Sequence, residues 1–104
     1  MPRIKIQSEY DDLDKYINHF QTIIYYKKDT YIRHNPYGPT IISKYGHIEH
    51  WLNDKRHRLD GPAIIYSDGE ERYYINNEWL TKEEFEIHPE RLKFLGKGHL
   101  VCLR

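Results

Sequence analysis

Seven histidines in a chain of 104 residues raise metal coordination as the first chemistry to consider. His47 and His50 lie three apart with Glu49 between them, and His57 follows beyond the next turn. Imidazole nitrogens with a carboxylate form a zinc donor set. On a strand, however, only residues i and i+2 share a face, so His47 and His50 should point to opposite sides. Zinc would then need His47 joined by a donor from a neighbouring strand. The one cysteine, Cys102, permits neither a Cys-rich site nor an intramolecular disulfide, which fits a reducing compartment. Between Val101 and Leu103 it reads as a small buried hydrophobe rather than a reactive thiol. No metal and no cofactor are expected.

His57 and Asp60 could form an acid–base pair, since a carboxylate orients an imidazole for proton transfer. A simpler reading fits the same residues. Asp60 before Gly61-Pro62 suits an Asx-type turn with Arg58 as its surface partner. No Ser or Cys nucleophile has a base at a diagnostic spacing, and Glu70-Glu71 and Glu83-Glu84 read as solvated turn and helix-start charges. Gly96-Lys97-Gly98 could let backbone N–H groups approach a phosphate, but it reads better as a helix terminator. The expectation is a protein that is not an enzyme; a small metal-dependent hydrolase using His47, His50, His57 and Asp60 is the remote alternative.

The aromatic content is the other chemical resource: 10 Tyr, 3 Phe and 2 Trp. Adjacent pairs such as Tyr73-Tyr74 must present one ring to each face of a sheet, so one face should stay aromatic. Rigid rings interspersed with Arg are what protein interfaces use. The candidate anchors are Trp51, Tyr73, Tyr74 and Trp79, with Arg56, Arg58 and Arg72 as polar contacts. Trp51 and Tyr74 have a competing reading as core. The same rings could stack on nucleotides or single-stranded nucleic acid. Sixteen Lys and Arg balance 16 Asp and Glu, with no segment polarised, which counts against a phosphate-driven binder.

These side chains need a framework, and the composition points to sheet. Ile occurs 13 times whereas Ala and Val occur once each. Arg3 to Gln7 alternates as a short strand. From Ser8 the period changes: Leu13, Tyr16, Ile17 and Phe20 recur at helical spacing, predicting an amphipathic helix over about 9–20 capped by Ser8. Thr22 to Lys27 reads as a strand. No apolar run approaches the roughly 20 residues that cross a bilayer, and the N-terminus has no signal-peptide core.

An internal repeat of 23 residues dominates the middle of the chain. His34-Asn35-Pro36-Tyr37-Gly38-Pro39-Thr40-Ile41-Ile42, then Gly46, Trp51 and Asn53, returns as His57-Arg58-Leu59-Asp60-Gly61-Pro62-Ala63-Ile64-Ile65, then Gly69, Tyr74 and Asn76. Each unit reads as a β-hairpin. Turns fall at Tyr45-Gly46 and Asp68-Gly69, returning strands over 47–52 and 70–75, and further turns at Asn53-Asp54 and Asn76-Asn77. His34 and His57 share one repeat position, which points to a structural task such as bonding a turn carbonyl. Thr81-Lys82-Glu83-Glu84 is a capping box, Pro89 opens a further short helix, and His99 to Leu103 reads as a last strand.

His57-Arg58-Leu59-Asp60-Gly61-Pro62-Ala63, followed by Asp68-Gly69, Tyr73-Tyr74-Ile75-Asn76-Asn77 and Leu80-Thr81-Lys82-Glu83-Glu84-Phe85, resembles the His-Arg-x-Asp-Gly-Pro-Ala repeats of small bacteriophage and giant-virus proteins. More distantly, the hairpin period is similar to that of MORN repeats. The resemblance covers about residues 34–85; the first copy departs from it, with Asn35-Pro36-Tyr37 in place of Arg-x-Asp. It implies a hairpin-repeat fold and a viral setting, and no reaction.

The expected architecture is therefore a single α+β domain, an antiparallel β-meander built from two 23-residue hairpin repeats, flanked by an N-terminal helix and short C-terminal helices. A β-α-β lead-in takes 1–30, the repeats 31–55 and 56–80, and a helical cap with a last strand 81–104. The expected function is a noncatalytic protein-binding module, a viral accessory protein inhibiting a host defence factor by steric occlusion in the host cytoplasm. A nucleotide or single-stranded nucleic-acid binder is the alternative. A homodimer through sheet edges is compatible with this reading; a membrane partner is not expected.

Overall fold

A computed structural model describes residues 3–99. Its strands are β1 (Arg3–Ile6), β2 (Leu13–Asn18), β3 (Ile23–Lys27), β4 (Ile41–Ile42), β5 (Ile48–Glu49), β6 (Trp51–Leu52), β7 (Lys55–Arg56), β8 (Ile64–Ile65), β9 (Glu71–Ile75) and β10 (Glu78–Leu80). Two helices follow, α1 (Lys82–Glu86) and α2 (Pro89–His99). Eight strands form one antiparallel sheet in the order β1-β2-β3-β4-β5-β8-β9-β10, and β6-β7 is a separate hairpin between β5 and β8. The meander and the C-terminal helices agree with the sequence reading.

The N-terminal helix does not exist. Leu13–Asn18 is a strand paired on both sides, with Arg3 opposite Asn18 and Leu13 opposite Lys27. The same residues satisfy a period of two, Leu13, Lys15 and Ile17 on one face and Asp14, Tyr16 and Asn18 on the other. Two flanking strands with free hydrogen-bonding edges decide between the patterns. Ser8 caps no helix; its hydroxyl bonds the backbone of Tyr10 in a turn. Asn18 then turns the chain, its side-chain oxygen accepting the N–H groups of Phe20 and Thr22.

Two smaller expectations also fail. The returning strand over 47–52 splits at His50, because His50 donates its N–H to Ala63 in the main sheet while Trp51 and Leu52 pair with Arg56 and Lys55. Gly96-Lys97-Gly98 does not end the last helix, which runs on to His99. The expected strand from His99 therefore begins in a helix; its remaining residues and the setting of Cys102 lie outside the described residues.

Cross-strand partners share a face. The register aligns Ile4, Ile17, Ile23, Ile42, Ile48 and Ile65 in one row across six adjacent strands, ending against Glu71. On the opposite face run Lys5, Tyr16, Ile24, Ile41, Glu49, Ile64 and Arg72. The isoleucine face is covered at its inner margin. Tyr10 meets Tyr25 edge-on at 5.7 Å and stacks on Tyr37 at 4.8 Å. At the far end α1 closes the core, Phe85 packing with Ile75 and Leu80 against Leu59 and Tyr73. Its start is the predicted capping box: Thr81 Oγ1 accepts from the Glu84 N–H, and Glu84 reaches back to the Thr81 N–H.

Phe85 is 2% exposed and Ile87, two residues on, 72%. Phe85→Ala should cost about 3 kcal/mol by urea unfolding, the usual range for emptying a buried ring site. Ile87→Ala should stay within about 0.5 kcal/mol.

Candidate functional site

The hydrogen bonds that shape the middle of the molecule recur at a displacement of 23 residues. Asn53 and Asp54 form a two-residue turn with φ of 50° and 67°, and Asn76 and Asn77 another with 50° and 71°. Asn is tolerated in this left-handed region. In the first turn, Asn53 donates its N–H to His34 Nδ1 at 2.9 Å and Asp54 donates to the Arg33 carbonyl at 2.8 Å. In the second, Asn76 donates to His57 Nδ1 at 2.9 Å and Asn77 to the Arg56 carbonyl at 2.8 Å. The histidines thus accept a turn N–H, where a bond to a turn carbonyl was expected. Each Arg-His dipeptide fastens the turn that follows it.

The same arginines build a stack on the face opposite the isoleucines. The Arg33 guanidinium lies 3.9 Å from the Trp51 ring centroid, and Arg56 lies 4.7 Å from Trp51 and 5.4 Å from Tyr74. Trp51 Nε1 donates to Glu49 Oε1 at 2.7 Å, and His47 Nε2 contacts the other oxygen of Glu49 at 2.6 Å. Trp51 is buried, so it is a structural ring and not an available anchor. Arg33 and Glu49, which sequence reasoning passed over, hold it; the shift of Arg56 by one repeat onto Arg33 was the signal that could have found the first.

The proposed contact residues divide between the two faces. Arg72, Tyr74 and Trp79 lie on the stacked face: Tyr74 is opposite Trp79, and Arg72 is two residues from Tyr74. Tyr74 lies beneath Arg56, whereas Trp79 is 66% exposed. The Arg72 guanidinium lies 5.4 Å from the Tyr66 ring and 5.9 Å from Trp79, and it is paired with Glu70 at 2.9 Å. A cleft of about 450 Å³ runs beside them, reaching Leu80, Thr81 and Lys82. Tyr73 is on the other face, packed on Phe85 at 4.6 Å.

Arg58 also belongs to that other side, in a cleft of about 560 Å³ between the two equivalent loops, floored by Ile48 and His50. Its Nε bonds Asp60 Oδ1 at 2.7 Å and its Nη1 bonds the Pro62 carbonyl at 3.1 Å. Twenty-three residues earlier in the chain, Asn35 makes the corresponding bond with a different side chain, donating from Nδ2 to the Pro39 carbonyl at 2.9 Å. The guanidinium crowds the glycine after Asp60: a Cβ on Gly61 would meet Arg58 Cζ at 3.0 Å, whereas one on Gly38 meets nothing within 4 Å.

His47 and His50 do face opposite sides, His47 against Glu49 and His50 in the cleft. His57 is committed to its turn. Among the described residues no group of three or more His, Cys, Asp or Glu side chains is placed to hold a metal ion. Burial, reinforced by the Arg58 charge, pushes the His50 imidazole down to about 4. Burial also lowers His34 and His57. The Arg58 hydrogen bond holds the Asp60 carboxyl below its usual range, and the Arg33 bond does so for Asp54. Compared with known proteins, the chain matches no family model, no curated protein and no solved structure.

Two outcomes follow from these contacts. Gly61→Ala should cost about 1 kcal/mol in the native chain and close to nothing once Arg58→Ala has removed the guanidinium, while Gly38→Ala should be neutral within about 0.5 kcal/mol; a double-mutant cycle by urea unfolding reads this. Unfolded imidazoles take up protons near pH 6.5, and the folded ones resist, so the unfolded state binds more protons as pH falls. Stability should therefore decline from pH 7 to about 5, above the range where Asp54 and Asp60 titrate. His50→Gln should flatten that slope in urea titrations repeated across the same pH range.

Proposed function

We propose that this protein is a noncatalytic protein-binding module whose contact surface is the Arg72–Trp79 corner of the sheet. The observation that carries the reading is Trp79, a large ring left 66% exposed on a hydrogen-bonded strand beside a guanidinium. Trp and Arg are the side chains over-represented among residues that dominate interface energies, and a sheet presents them with little ordering cost.

The repeat gives this exposure a cause. Displaced by 23, Arg33-His34 becomes Arg56-His57 and then Trp79-Leu80. The sheet is in this reading an array of two hairpin units: at the third position Leu80 enters the core with Phe85, and Trp79 stands where each earlier arginine is wedged against the next ring. The resemblance to viral hairpin-repeat proteins supports an accessory protein that occludes a host factor, such as a component of a defence system, in the host cytoplasm. No helix among the described residues is long and apolar enough to cross a membrane.

The test is affinity capture from host lysate with nuclease treatment, followed by reconstitution with the purified partner. A stoichiometric protein partner should survive nuclease, lose affinity at least about tenfold with Trp79→Ala or Arg72→Ala, and keep it with Tyr45→Ala at a distant turn. Recovery of nucleic acid alone, with binding that weakens steeply with salt, would replace this reading with the stacking alternative.

A further inference from the structure

Resting on the reading of the Arg72–Trp79 corner as a contact surface, we propose that the Arg56 guanidinium is an open carboxylate contact on the same face, and that the protein seated on Trp79 places an aspartate or glutamate side chain there. Displacement by 23 residues relates two arginines that differ in one respect. Arg33 donates from Nε to Asp54 Oδ1 at 2.7 Å, and its backbone N–H donates to the same oxygen at 3.3 Å. The residue 23 positions after Asp54 is Asn77, whose Oδ1 accepts the Arg56 backbone N–H at 3.4 Å and leaves the guanidinium untouched. A carboxylate neutralises the first cation, and an amide stands in its place at the second.

Among the described residues the Arg56 side chain makes no hydrogen bond and no ion pair, and its Nε is buried without a partner. Buried polar atoms are ordinarily bonded, which sets Arg56 apart from its counterpart. No other carboxylate of the region stands in. Glu49 is engaged by Trp51 Nε1 and His47 Nε2, Glu70 by Arg72, and Glu78, next to Asn77, lies 3.9 Å from His88 Nε2. The guanidinium is nevertheless held, with its Cζ 4.7 Å from the Trp51 centroid and 5.4 Å from that of Tyr74. The rings attract the cation without neutralising its charge.

With Nε enclosed, Nη1 and Nη2 form the accessible end of the fork, which matches the two oxygens of a carboxylate. A single uncompensated charge in the company of Glu49, Glu70 and Glu78 suits a monoanion, because a dianionic phosphate meets stronger repulsion from the same carboxylates. The two rings already order the side chain, so a partner's carboxylate meets it with little further cost in entropy. Tyr74, on which Arg56 rests, is the cross-strand neighbour of Trp79. An acidic side chain on Arg56 and an apolar contact on Trp79 therefore fall on one stretch of one face.

NMR of the arginine Nε and Cζ nuclei reads the contact without a partner, with sodium acetate exchanged for chloride at constant ionic strength. Arg56 should show a saturable shift and Arg33 none. Asn77→Asp is a safe substitution, since Asp54 already stands at the equivalent φ, 67° against 71°. It should abolish the Arg56 response and raise the urea midpoint. No saturable shift at Arg56, an equal shift at Arg33, a response untouched by Asn77→Asp, or saturation by phosphate at lower concentration than by acetate would overturn the proposal. The contact surface and the carboxylate contact fail separately. Against the purified partner, Asn77→Asp should lower affinity at least about tenfold. Affinity kept in Asn77→Asp but lost in Trp79→Ala would leave the contact surface standing and refute the carboxylate on Arg56. The acetate response without any protein partner would refute the contact surface and keep the carboxylate site.

Discussion

The rest of the structure depends on how a left-handed turn is fastened. Asn53 and Asp54, and again Asn76 and Asn77, adopt positive φ with both N–H groups aimed at an Arg-His dipeptide earlier in the chain. In each of these exposed turns both donors are satisfied within the chain, each by one atom of an Arg-His dipeptide, a carbonyl oxygen and an imidazole nitrogen. Because the acceptor at His34 and His57 is Nδ1, that nitrogen carries no proton and the ring is neutral with its hydrogen on Nε2. The latch fixes where each turn sits against the preceding loop, and hence the register of the strands that carry Trp51 and Tyr74.

The arginines act twice. Their backbone carbonyls hold the turns while their guanidinium groups cover the rings on the next strand, and this joins one hairpin to the next. Cation–π contacts of this kind contribute roughly 0.5–2 kcal/mol each, a useful amount in a sheet whose apolar cluster at the far end is only three buried residues with two partners. The arrangement also leaves a free ring at the end of the series, where Trp79 follows the two arginines in sequence register without a further turn to fasten.

Much of this was legible in the residues. Asn-Asp and Asn-Asn, Asp68-Gly69 and the Thr81–Glu84 box carry their geometry locally, and the spaced strands and turns pointed to an antiparallel meander. What sequence could not resolve were choices made by neighbours. Leu13–Asn18 fits both periods, and only the open edges of β1 and β3 select the strand. His50 breaks a strand because its partner belongs to β8's approach and Trp51's to β7. Trp51 and Trp79 are the same residue type on similar strands; one is buried with two guanidiniums over its ring and the other is exposed, a difference set by residues distant in sequence rather than by the adjacent ones.

The most direct measurement is long-range proton–nitrogen NMR correlation of the histidine rings at neutral pH. The latch requires His34 and His57 to be neutral, with an unprotonated Nδ1 that shows the shift of a hydrogen-bonded acceptor, and with the Asn53 and Asn76 amide protons exchanging slowly. A protonated Nδ1 at either histidine, or fast exchange at those two amides in an otherwise protected sheet, would contradict it.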